Sequence, residues 1–271
     1  MSGITTAHSV VEPGAWSKRI AAVLVVLYAL VSMIPLLWIL VTGLKTPSDS
    51  IAYPPKILFT PSLEGYVNSL IIGFGSTFLA VLLGTTAAYA FSRFKIPLKD
   101  DLLFFILSTR MMPPIAVAIP IYLMYREVGL LDSQIGMILL YTAVNLSLAV
   151  WLLKGFMDEI PREYEEAAMI DGYTRLQAFW KVVLPQASTG IAATAIFCLI
   201  FSWNEYAFAL LPTSGNAQTT PPFIPFIIGE GGQDWPAVAA GTTLFLIPIV
   251  VFTILLRKLL LRGITFGAVR R

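Results

Sequence analysis

The chain has 271 residues, 57% hydrophobic and only 13% charged, with a mean hydropathy of +0.79. So apolar a composition excludes one soluble core and implies an integral membrane protein. The formal net charge of +2 is scattered in small clusters beside apolar stretches, which excludes a nucleic-acid partner.

Six stretches are long enough to cross a hydrocarbon core, which takes about 20 helical residues. They cover 20–44, 67–91, 102–125, 135–153, 187–211 and 237–256, between tails at 1–19 and 257–271. The first is far longer than the roughly 7 to 15 residues of a signal-peptide core, and no A-x-A-like site follows it. In the second, Gly84 and Ala88 stand four apart and suit close helix packing. The third carries Arg110, then Met111-Met112-Pro113-Pro114 and Pro120, which kink the span as hinges or as static packing features. A lone Arg at that depth costs about 2.5 to 3.5 kcal/mol, so Arg110 should face a wet cavity or a partner. The fourth offers Asn145 and Ser147 as polar candidates for lining a path. In the fifth, Cys198 packs as a small hydrophobe, and Glu205 is the one intramembrane acid. An Arg110–Glu205 pair is therefore the economical expectation; the alternative is that either residue lies nearer a membrane face and is solvated.

Basic residues give the orientation. With the N-terminus inside, the inner segments hold Lys18 and Arg19, then Arg93, Lys95 and Lys99, then Lys154, Arg162, Arg175 and Lys181, then the C-terminal group from Arg257. The outer loops hold only Lys45, Lys56 and Arg126. Both termini and the loop between spans 4 and 5 are expected on the cytoplasmic side.

That loop is helical by its punctuation. Pro161 suits a first helical turn and Gly172 the position just past a helix end, and Thr174 with Gln177 has capping-box spacing for a second helix running to Pro185. Tyr164, Ala167 and Ala168 share one side of the first helix, small enough for a partner to approach, with Glu163, Glu165 and Glu166 adding negative charge. The plain alternative is an amphipathic helix on the membrane surface. The glutamates count against it, because lipid-facing helices favour Lys and Arg.

The outer loop 212–236 is rich in Pro and Gly yet apolar, unlike a plain linker, and reads equally as a re-entrant plug or as a contact surface. The only histidine is His8 and the only cysteine Cys198, so no metal site or nucleophile–base pair can be assembled, and no catalytic residue or metal is expected. No G-x-x-x-x-G-K-[ST] loop occurs, so ATP-derived energy must come from another subunit.

Taken together, Glu166-Ala167-Ala168, Gly172, and Val182, Leu184 and Pro185 resemble the EAA loop of ABC importer permeases, with Val182 in place of the usual Ile. Trp203-Asn204-Glu205 and the ending Gly263-Ile264-Thr265-Phe266-Gly267-Ala268-Val269 are similar to elements of the carbohydrate-uptake, maltose-type branch. The resemblance implies an all-α integral membrane fold of six transmembrane helices with a cytoplasmic EAA coupling helix between spans 4 and 5. It implies the permease subunit of a binding-protein-dependent importer in a prokaryotic plasma membrane, not an enzyme, carrying a sugar or sugar alcohol. Two ATPase subunits would bind the ATP and dock on Glu166, Ala167, Ala168, Gly172, Leu184 and Pro185, and residues 262–271 would reach towards them. A second permease subunit would complete the pore, and an extracellular solute-binding protein would touch the outer loop at Asn216, Gln218 and Thr219. Thr109 to Pro114 looks closest to polyol or monosaccharide permeases. A self-contained secondary carrier or channel is the competing class, without the repeats or clustered intramembrane acids it usually shows. An intramembrane protease is weaker still, lacking a GxGD pair.

Overall fold

A computed structural model describes residues 15–43, 64–226, 228–229, 232–233 and 235–266. His8, Lys45, Lys56 and residues 267–271, which include the last three of the family-like ending, lie outside them. Among the described residues every regular element is a helix except an antiparallel ribbon of two two-residue strands, β1 (Ile228–Gly229) with β2 (Gly232–Gln233). The described residues form two compact units, 15–43 with 235–243, and 64–226 with the ribbon and 244–266. The first contains α1 (Ala15–Gly43), apolar on every side and with none of its central window buried. A helix apolar all round is suited to a bilayer or to a neighbouring helix.

In the second unit, α2 (Glu64–Arg93) lies along α5 (Gln134–Glu159), and α9 (Ser188–Trp203) closes against both. Lipid gives no hydrophobic drive for helices to associate, so close approach and buried hydroxyls do the work. A Cβ on Gly84 would stand 2.7 Å from the Ala149 Cβ, and one on Gly190 would stand 2.3 Å from the Phe156 ring. Ala88 is fully buried, as its spacing from Gly84 predicts. The Ser76 and Ser202 hydroxyls meet at 3.0 Å, and Asn145 Nδ2 donates to Ser202 Oγ at 2.8 Å. Two apolar clusters flank this polar contact. One joins Tyr89, Leu153, Met157, Ile160, Phe179 and Val183; the other joins Ile72, Tyr125, Met137, Tyr141 and Phe208.

Two expected spans are broken rather than merely kinked. The third is α3 (Lys99–Ser108), a 3-10 turn at Thr109–Met111, and α4 (Pro114–Glu127), bent by 92°. Met112 and Pro113 are extended there, at ψ 130° and 125°, because each precedes a proline, while Pro114 is tolerated at the start of α4. Pro120, by contrast, sits inside α4 without breaking it. The fifth begins as α9 and stops at Trp203, resuming as α10 (Ala207–Leu210). Among the described residues four helices are long and apolar enough to cross a membrane, and up to six if the bent pairs Lys99–Met111 with Pro114–Glu127 and Arg175–Gln186 with Ser188–Trp203 each count as one span. After a short α11 (Thr220–Phe223), the last helix, α12 (Trp235–Phe266), runs past the expected span end at 256.

Gly84→Leu should cost about 1–3 kcal/mol by overpacking the α2–α5 contact. The unfolding midpoint in detergent should fall for Gly84→Leu and hold for Gly155→Leu, whose Cβ meets nothing within 4 Å.

Candidate functional site

The loop between α5 and α9 folds as two short limbs joined at a tight turn. The first, α6 (Glu163–Ile170), ends where Gly172 turns to φ +93°. There Gly172 N–H donates to Met169 O at 3.1 Å and Tyr173 N–H to Ala168 O at 3.0 Å, the paired bonds of a Schellman cap. The left-handed φ costs a non-glycine residue roughly 1–2 kcal/mol, although a side chain there would meet open space. The second limb opens on the expected capping box. Gln177 N–H donates to Thr174 Oγ1 at 3.3 Å and Thr174 N–H to Gln177 Oε1 at 2.8 Å, starting α7 (Arg175–Ala178).

Pro185 does not stop this limb. The helix widens to a π-turn over Phe179–Val183, and then α8 (Leu184–Gln186) carries Pro185 in its first turn. A proline has no N–H for the i−4 carbonyl and its ring crowds that carbonyl, so a widened turn just before it relieves both faults. The limb bends by 72° into α9 at Ala187.

What roots α6 is an ion pair closed off from water. Arg93, at the end of α2, donates through Nε to Glu165 Oε1, and both side chains are 4% exposed. Tyr89 OH donates to Glu165 Oε2 at 2.8 Å. The same guanidinium reaches Ile160 O just past α5 at 2.9 Å and Ser92 Oγ at 3.0 Å, while Arg162 Nη2 donates to Ser92 O at 2.7 Å. Ser92 Oγ in turn donates to Asp158 Oδ1 at 2.6 Å, beside the Lys154–Asp158 pair. A polar hollow of about 510 Å³ opens next to this knot, with Glu159 and Glu163 on its rim.

The positions expected to face a partner therefore divide. Glu166, Ala167, Gly172 and Pro185 are exposed. Ala168 is 6% exposed and turned into the chain, and Leu184 is half-buried against the apolar cluster of Tyr89 and Phe179. Ala168 is thus corrected from a partner-facing residue to one that seats the helix. Glu165 is corrected likewise, from surface charge to buried anchor. Glu165 and Ala168 are three residues apart on one helical face, and that spacing was the available signal.

The Arg110–Glu205 pair is not formed. Arg110 Nη1 donates to Val144 O at 3.3 Å, and its guanidinium lies 4.2 Å from the Phe201 ring centre, an arrangement that partly compensates a cation without an anion. Glu205 instead accepts from Phe208 N–H at 3.0 Å, in the first turn of α10. Asn145, expected on a path, is 2% exposed inside the α2–α5–α9 contact, and Ser147 is 3% exposed. Their burial among helices explains the difference. Trp203 stacks on Phe245 at 5.4 Å and donates to its carbonyl at 3.1 Å.

At the far end of α2 a second polar cluster holds the outer loop. Asp132, itself at φ +50°, accepts from the backbone N–H groups of Ser214, Gly215, Asn216 and Ala217 at 2.9 to 3.1 Å. Asn68 donates to the carbonyls of Asn216 and Gln218, and Ser69 Oγ exchanges bonds with Thr220. Asn216 is exposed and Gln218 half-buried, but Thr219 is 3% exposed, which removes it from any outer contact surface. Nothing local in the sequence marks Asp132, Asn68 or Ser69, whose partners lie far away along the chain.

The model of the family described as binding-protein-dependent transport system inner membrane component matches residues 80–266. The trehalose transport system permease protein SugB of Mycobacterium tuberculosis is 36% identical over 263 residues, covering 91% of this chain and 94% of that protein. The probable ABC transporter permease protein y4oR of Sinorhizobium fredii is 32% identical, covering 89% and 92%. Among solved structures, a bacterial ABC transporter involved in the import of the acidic polysaccharide alginate shares the fold at a TM-score of 0.63 and 22% identity, covering 92% of this chain and 99% of that one.

Burial alone would push the Asp132 carboxyl up, but four backbone N–H groups outweigh it and hold it below the ordinary aspartate value of 3.8. A carboxyl lowered by folding stabilises above its unfolded pKa, and that contribution is lost as pH falls through the folded value. Hydrogen exchange of 213–219 should therefore stay slow in the parent until the pH drops below about 3.8. Asp132→Asn should exchange fast already at pH 7, and equal exchange in the two proteins would count against the clamp.

Proposed function

Since this chain belongs to the binding-protein-dependent transport system inner membrane component family, we propose that it is one pore-forming subunit of an ATP-binding-cassette importer for a sugar or sugar alcohol. It is a multi-pass membrane protein and a transporter permease rather than an enzyme. In the proposed assembly two ATPase subunits seat α6 in their grooves, a second permease completes the path, and an extracellular binding protein delivers the solute. The loop carrying α6 and the basic clusters face the cytoplasm, as do both termini.

The observation that carries this reading is the form of the loop between α5 and α9. Ion-paired and apolar residues on one side fix it to its own bundle, and the other side leaves Glu166, Ala167 and Ile170 free. A helix so placed presents a small, acidic surface to a partner, and Gly172 turns the chain back within one residue. Closure of the ATPase dimer on ATP would push such helices together and switch the pore between inward and outward openings. ATP is bound by the partners, and this chain needs no cofactor of its own. Carbohydrate as solute is supported by the names of the relatives. Within the bundle, Arg110 is the residue proposed to line the path, since its guanidinium has no carboxylate within ion-pair distance among the described residues.

Outside, the exposed tip at Ser214 to Asn216, held by Asp132, is the proposed contact for the binding protein. The tagged chain, extracted in mild detergent, should bring with it a Walker-motif ATPase and a second permease, and in liposomes the binding protein with its sugar or polyol should stimulate hydrolysis. Glu166→Arg should weaken ATPase retention about tenfold or more, because it inverts the charge that α6 presents to the proposed contact. A lone oligomer without ATPase would point to a self-contained carrier instead.

A further inference from the structure

We propose that the buried Arg93–Glu165 pair is the rigid linkage through which displacement of α6 reaches the membrane helices. Arg93 is thereby a positioning residue for coupling and not only an anchor of the fold. The inference rests on the importer reading.

Three elements meet at one guanidinium. It belongs to α2, it donates to Glu165 on α6, and it donates to the carbonyl of Ile160 at the end of α5. Hydrogen bonds and ion pairs are directional, so a push on α6 must carry the ends of α2 and α5 with it. The other limb is joined differently. Phe179, Val183 and Ala187 sit in the apolar cluster, a π-turn interrupts the helix, and α9 departs at 72°. Apolar contact has no preferred direction, and widened turns and bends are where helices yield. The geometry thus gives α6 one stiff connection, to α2 and α5, and one compliant connection, to α9. Glu165 has a second fixed contact in Tyr89, four residues before Arg93 and so one helical turn away on α2, which resists rotation of the carboxylate about the guanidinium.

Glu165→Gln, Arg93→Ala and Arg93→Lys should be compared with the parent as purified complexes with their ATPase, in liposomes with the binding protein and its solute. For Glu165→Gln and Arg93→Ala the complex should assemble and hydrolyse ATP at or above the parent's basal rate, while solute moved per ATP falls about tenfold, within the range that lost coupling contacts produce. Arg93→Lys keeps the charge but not the fork, and should fall between. Hydrolysis and uptake falling in parallel, or neither changing, would overturn the linkage. Failure of all three variants to assemble would overturn it too, assigning the pair to folding alone. These outcomes leave the importer reading intact provided the parent couples; absence of an ATPase from the parent complex would sink that reading regardless of the variants.

Discussion

Everything at the α6 end of this bundle depends on a guanidinium and a carboxylate held out of water. Removing such charges from solvent costs several kcal/mol per ion, and the cost is offset only when every donor and acceptor finds a partner at good geometry. Each nitrogen of the Arg93 guanidinium and each oxygen of the Glu165 carboxylate has a partner, through Tyr89, Ser92, the Ile160 carbonyl and one another. Without them α6 would be an eight-residue helix with three glutamates in its first turn, too short to persist alone. With them it becomes a projection of α2 and α5.

The opposite end of α2 follows the same logic with different chemistry. There Asn68, Ser69 and Asp132 hold the outer loop through backbone groups that would otherwise lack partners. Between the two ends lie small residues and hydroxyls: Gly84 against Ala149, Ser76 against Ser202. A bundle that cannot rely on exclusion from water is stitched by close approach and hydrogen bonding. Polar knots at the two ends fix the loops to the bundle.

Local rules were legible in the sequence, and long-range ones were not. The capping box at Thr174 and Gln177, the left-handed turn at Gly172 and the packing role of Gly84 and Ala88 each depend on neighbours within a turn or two, or on residue size. The apolar stretches gave the membrane class for the same reason. Which of Glu163, Glu165 and Glu166 points inward depends on where Arg93 lies, 72 residues earlier in the chain. Asp132 was hidden similarly, since its partners at 214–217 are 82 to 85 residues on. The Arg110–Glu205 expectation failed because charge was matched without geometry: an aromatic ring and a carbonyl satisfied the cation, and a helix start satisfied the acid. The double proline at 113–114 announced a kink, but the 92° bend comes from two consecutive extended residues, Met112 and Pro113.

The most direct measurement is the distance between spin labels at Thr86→Cys on α2 and Glu163→Cys on α6, both exposed positions, in the complete importer without nucleotide and with ATP trapped. If α6 moves as one body with α2, the distance distribution within this chain stays the same in both states while the distance from α6 to the second permease changes. A shift of the internal distance between the two states would show that α6 swings independently of α2, and would contradict the rigid connection through Arg93 and Glu165.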